Sequence, residues 1–157
     1  MGSMNRSHRT ALGLSAPVIV GLALLAAPRV VLQDLGVIHE GTSGDALFVF
    51  VPPAVWIAVA VLRRVPNPFL TLLALGAVYG VFLLMGHQLL WNLAWEGDPP
   101  SLGGNLSDLS PGLQEAIMRG FSAVGSLVTG ILVGTASGLV AWGVGKAARI
   151  RPRTPAE

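Results

Sequence analysis

The sequence predicts an all-α protein, an integral membrane four-helix bundle with both termini on the cytoplasmic side (N-in/C-in). Three observations carry that reading. Of 157 residues, 52% are hydrophobic and only 11% charged, whereas a soluble domain carries roughly a quarter charged residues. Four apolar stretches approach or exceed the roughly 20 residues a helix needs to cross about 30 Å of hydrocarbon. The basic residues gather at Arg6–Arg9, Arg63–Arg64 and Lys146–Arg153, at the edges of those stretches, as membrane-flanking anchors do.

The length suits one domain, and the expected spans are residues 11–32, 46–62, 68–95 and 112–145. The leading Met1-Gly2-Ser3-Met4 reads as an added leader with the natural start at Met4. The first apolar run follows Arg6, His8 and Arg9, as in a secretory signal. Its length, and Pro28 directly after Ala26-Ala27, argue for a retained span instead. In that span Arg29 falls near the far end; it and Arg119, near the same boundary, are expected to seek Asp34, Glu115 or lipid phosphates. The second span is short and holds Pro52-Pro53 near its middle, where each proline removes a backbone donor. A structural kink and a carbonyl-lined binding element are the two readings of that pair. The third run, from Val65 to Trp95, would reach about 46 Å as one helix, so its end must tilt or project beyond the hydrocarbon. Asn67-Pro68 and Ser110-Pro111 read as N-cap plus N1 proline for the third and fourth spans. Ser43 or Asp45 is positioned to cap the second. Asp98-Pro99-Pro100 and Gly103-Gly104 make the second long loop irregular.

Only helices fit these runs, because they do not alternate as barrel strands would and each must satisfy its backbone internally. If the spans alternate, the three basic clusters share one side. Asp34, Glu40, Asp45, Glu96, Asp98, Asp108 and Glu115 fall on the other, which fixes the expected orientation. Nine of the ten basic residues are arginine, a composition suited to a GC-rich bacterial genome and so to the inner (plasma) membrane.

Several functional classes drop out. With no cysteine there is no disulfide, thiolate metal site or cysteine nucleophile. The net charge of +2 and pI near 9.9 come with no basic face interleaved with aromatics, so no nucleic-acid partner is expected. No acyl-transfer triad or phosphate loop is recognisable, no catalytic residue is assigned, and no cofactor or metal is expected. His39, Glu40, His87 and Glu96 are the only set with zinc-ligand chemistry, and their spacing matches no ligand motif.

Two features remain as candidates. On the fourth span Ser122, Ser126, Gly130, Gly134 and Gly138 recur every fourth residue, a glycine-zipper pattern that lets another helix approach closely. That face serves either packing within the chain, against the span carrying Gly76 and Gly80, or self-association around a pore. At the end of the third span, Gln88, Asn92 and Glu96 share one face and His87, Trp91 and Trp95 the neighbouring one. Headgroup-level solvation is the plain reading of this stripe. The functional reading is a vestibule of His87, Gln88, Asn92 and Glu96, in which the imidazole can change charge in mildly acidic conditions.

The partners expected are the lipid bilayer, with a homo-oligomer or a larger membrane partner. The leading expectation is an oligomeric small-solute or ion permeation and transport protein. The alternatives are a non-catalytic accessory or scaffold subunit, and a membrane enzyme acting on lipid or quinone near His87 and Glu96.

Overall fold

The computed structural model describes residues 12–95, 98 and 100–148, and no strand occurs among them. Six α-helices follow one another: α1 (Ala16–Leu24), α2 (Pro28–Asp34), α3 (Ser43–Leu62), α4 (Pro68–Leu89), α5 (Trp91–Ala94) and α6 (Pro111–Ala147). A short 3-10 turn at Gly104–Leu106 lies in the loop before α6. Four of the resulting segments are long and apolar enough to cross a membrane: 16–34, 43–62, 68–89 and 111–147.

The first expected span is not one helix. Pro28 has no amide hydrogen to give the Leu24 carbonyl, which takes Ala27 N at 3.1 Å instead, while Ala26 N turns to Ala23 O at 3.1 Å. These shortened bonds separate α1 from α2 at residues 25–27, the ordinary consequence of proline inside an apolar helix. The third expected span, 68–95, also divides. α4 ends at Leu89, and Leu90 O starts a new turn by accepting from Leu93 N at 2.9 Å and Ala94 N at 2.8 Å. The excess length is thus taken up by a break rather than by a single tilted helix. In contrast, α3 runs through Pro52 and Pro53 without interruption.

Helix starts follow side-chain chemistry. Asn67 Oδ1 accepts from Leu70 N at 3.1 Å and opens α4. The cap of α3 is Thr42, whose hydroxyl accepts from Asp45 N at 3.3 Å, in place of the expected Ser43 or Asp45. Ser110 precedes Pro111 as expected but makes no side-chain capping bond. A tight turn joins α3 to α4, with Arg64 in the left-handed region at φ 50°.

The most extensive helix pair is α4 with α6. Its centre is nearly free of side chains: Ser126, Gly130, Gly134 and Gly138 on α6 are buried, opposite buried Gly76 and Gly80 on α4. A Cβ added at Gly76 or Gly130 would strike the backbone of the facing helix, and one at Gly138 would lie 3.0 Å from Phe69 O. This close approach sets the register. Residues 68–89 of α4 face roughly 119–138 of α6, so α6, at 37 residues, extends past α4 at both ends. Around the pair lie α1 and α3, and the core gathers Ile19, Ala23, Trp56, Leu72, Leu75, Tyr79 and Leu83. Large apolar side chains cover the outside, including Phe50, Leu62, Phe121 and Leu132, as contact with lipid requires.

The bundle has two chemically different ends. The loop end carries Asp34, Glu40, Asp45, Asp98, Asp108 and Glu115, and the basic end carries Arg63, Arg64 and Lys146. At the loop end Gln114 ties down the long connection: its Oε1 accepts from Leu102 N at 2.8 Å while its Nε2 donates to Leu109 O at 2.8 Å.

Candidate functional site

Arg29 stands in the first turn of α2, just after the proline break, with its side chain half-buried beside the loop end of α3. Its Nε donates to Asp45 Oδ1 at 2.9 Å, and the side chains of the pair are 21% and 10% exposed. Gln33 Nε2 donates to the same oxygen at 3.0 Å, and Gly41 N approaches Asp45 Oδ2 at 3.4 Å. Asp34 and Glu115, the expected partners of Arg29, are engaged elsewhere. Asp45 wins because the Thr42 cap fixes the first turn of α3 directly beside α2. A carboxylate so far removed from water is retained only when paired and hydrogen-bonded, and three donors meet that condition.

From this pair a line of polar groups leads inward. The Tyr79 side chain lies close to the Arg29 guanidinium. Tyr79 meets Trp56 edge to face, with ring centroids 5.7 Å apart. Trp56 Nε1 donates to Leu22 O at 2.8 Å, a carbonyl close to the end of α1. The proline break, the arginine and the two aromatics therefore form one structural unit.

That unit borders a partly open cavity of about 50 Å³, lined by Arg29, Phe48, Val49, Pro53, Trp56, Tyr79 and Thr129 among others. Phe48 and Val49 are four residues before Pro52 and Pro53, so their carbonyls are the two that lose helical donors in α3. Arg29, Tyr79 and Thr129, each able to donate, thus share this lining with the two residues whose carbonyls are short of a donor. A water site takes about 10–15 Å³ of such volume, so the space suits three or four small heavy atoms.

The sequence-derived vestibule is arranged otherwise. His87 Nδ1 lies 3.0 Å from Asp34 Oδ2, which braces α4 against α2. Gln88 Nε2 donates to Arg119 O at 3.1 Å, which braces α4 against α6. Asn92 is exposed on α5, and Glu96 lies outside the described residues. Arg119 takes its expected partner, Glu115, at 2.9 Å, and its guanidinium sits 5.1 Å from the centre of the Trp91 ring. Trp91 Nε1 is buried without a hydrogen-bond partner among the described residues. His39 and Glu40 are exposed in the first loop, and no group of three or more metal-ligand side chains converges among the described residues.

Of the five small residues on α6, Ser126, Gly130, Gly134 and Gly138 pack on α4, and Ser122 O accepts from Ser126 Oγ at 2.8 Å. The face is covered within the chain and so lends no support to an oligomer seam.

Sequence reasoning noted Arg29 as an outlier but missed its cavity. The available signal was a proline-arginine pair ending an apolar run, together with two prolines centred in the next one. No protein-family model, curated protein or solved structure matches the chain.

Proposed function

We propose that the chain is a four-span, multi-pass protein of a bacterial inner (plasma) membrane that passes a small neutral polar solute through the Arg29–Tyr79 cavity. The termini and the Arg63–Arg64 turn face the cytoplasm, following the arginine and lysine distribution. The loop end faces outward. Solute enters beside Asp45, exchanges water for the donors of Arg29, Tyr79 and Thr129 and for the carbonyls of Phe48 and Val49, and leaves toward the basic end.

One observation carries this reading: a half-buried arginine, a tyrosine and the two residues whose carbonyls lose helical donors line one cavity between the helices. Ionisable groups within membrane spans are costly and mark solute pathways by default. The Arg29–Asp45 pair has no net charge, so the site favours a neutral molecule with both donors and acceptors over an ion. Its volume limits that molecule to about the size of urea or formamide.

Stopped-flow light scattering on proteoliposomes tests the proposal, with urea, formamide and glycerol as probes. Urea and formamide should cross at least tenfold faster than through empty liposomes, and glycerol should not. Tyr79→Phe should reduce the flux without changing thermal stability by more than about 1.5 kcal/mol, the worth of one hydrogen bond. Urea flux equal to that of empty liposomes refutes the reading. Labelling of Pro66→Cys, but not of Gly41→Cys or Gly103→Cys, by an impermeant thiol reagent outside intact cells would overturn the orientation.

A scaffold role is the second reading. It draws on α6, which at 37 residues measures about 55 Å and presents exposed Phe121, Val124 and Leu132 along its outer side. A partner would then seat on this apolar face rather than on the small-residue face, which α4 already covers.

A further inference from the structure

At the basic end α6 outruns α4, and the overhang creates a groove that the solute pathway does not use. Gly138 is the last small residue held against Phe69 at the start of α4. Beyond it, α6 continues to Ala147, with Ala141 still buried and Leu139 and Trp142 turned outward. The resulting groove has a volume of about 330 Å³ and is lined by Asn67, Phe69, Leu139 and Trp142. That size lies within the range of small-molecule sites, and three of its four lining residues are apolar or aromatic. Leu139 and Trp142 are about half exposed, at 54% and 48%, so the groove opens sideways, toward the surroundings of the bundle.

Among the described residues, the charges at this end of the bundle have one sign. Lys146 stands one turn beyond Trp142 and places Nζ 4.0 Å from the ring centre, its alkyl stem along the apolar wall and its ammonium at the end of the helix. Arg63 and Arg64 occupy the same turn as Asn67. None of these three cations has a carboxylate partner among the described residues, since the described ion pairs are Arg29–Asp45, His87–Asp34 and Arg119–Glu115. Every described Asp and Glu lies at the loop end. An apolar, aromatic-walled surface groove that opens sideways, at the end of the bundle where these cations lie, complements a molecule with an acyl chain and an anionic head.

We infer that this groove binds one anionic phospholipid, its acyl chain along Leu139 and Phe69 and its phosphate held by Lys146 with Arg63 and Arg64. Basic pockets between helices on the cytoplasmic side suit such headgroups, and tryptophan at headgroup level suits the interface. The inference rests on the chain sitting in a bilayer, not on the Arg29 cavity, so failure of solute flux leaves it standing.

Tryptophan quenching by brominated phospholipid tests it, with the Trp142 signal obtained by subtracting the Trp142→Phe protein. In mixed bilayers, brominated phosphatidylglycerol should quench Trp142 at a mole fraction at least fivefold lower than brominated phosphatidylcholine does. The triple variant Arg63→Gln, Arg64→Gln, Lys146→Gln should lose that preference with unchanged melting. Lys146→Gln alone, at an exposed position, should lower it at least twofold and keeps the test open if the triple variant does not fold. Equal quenching by the two lipids overturns the inference, as does a preference that survives removal of the cations. So does relief of phosphatidylglycerol quenching by millimolar inorganic phosphate, because the site would then serve free phosphate rather than lipid.

Discussion

Replacing Gly134 by alanine tests whether α4 and α6 meet backbone to backbone. The added Cβ would lie 2.6 Å from Leu72 O and 2.9 Å from Gly76 Cα, against about 3.4 Å for an ordinary contact. Both neighbours are backbone atoms and cannot rotate away, so the helices must part by about 0.8 Å. A gap of that size forfeits a quarter to a half of each van der Waals contact worth about 0.1–0.2 kcal/mol; over on the order of thirty atom pairs the loss is about 2 kcal/mol. Overpacking elsewhere costs about 1–3 kcal/mol, in agreement. No hydrophobic effect between helices in lipid compensates, because association there depends on packing itself. Gly125→Ala on the same helix is the control: its Cβ meets nothing within 4 Å, so it should be neutral or stabilising by up to about 1 kcal/mol. Unfolding in mixed detergent micelles, followed by circular dichroism, reads both variants. Equal stability of Gly134→Ala and Gly125→Ala would refute the close approach. Dissociation of an oligomer by Gly134→Leu, with the monomer's unfolding unchanged, would assign the face to self-association.

Two further predictions concern the polar unit. Asp45→Asn should destabilise the protein by about 3–5 kcal/mol, because it leaves the Arg29 charge without its partner, and Arg29→Met combined with Asp45→Leu should recover most of that loss in the same unfolding assay. Trp56→Phe should cost about 0.5–1.5 kcal/mol, the worth of the indole bond to Leu22 O, whereas a loss under 0.3 kcal/mol would mean that this bond does not pin the end of α1.

The number of segments long and apolar enough to cross a membrane, their apolar outer faces and the separation of acidic from basic ends were legible in residue order alone. Hydropathy and charge are summed over a segment and do not depend on which neighbour a residue meets. The same holds for the Asn67-Pro68 start of α4 and the Arg119–Glu115 pair, whose partners lie within one helical turn. The spacing of Gly130, Gly134 and Gly138 likewise announced a close helix contact, and nominated Gly76 and Gly80 as one candidate for the other side. Whether that side belonged to this chain or to a second copy was beyond it. Tertiary structure alone paired Arg29 with Asp45 rather than with Asp34, since the choice turns on how α2 leans against the Thr42-capped end of α3. It also turned His87 and Gln88 into braces and gathered Tyr79, Trp56 and the Pro52-Pro53 carbonyl positions around one cavity. Those contacts join residues of different helices, and their meeting depends on the angles and register of packed helices, which composition and periodicity do not encode.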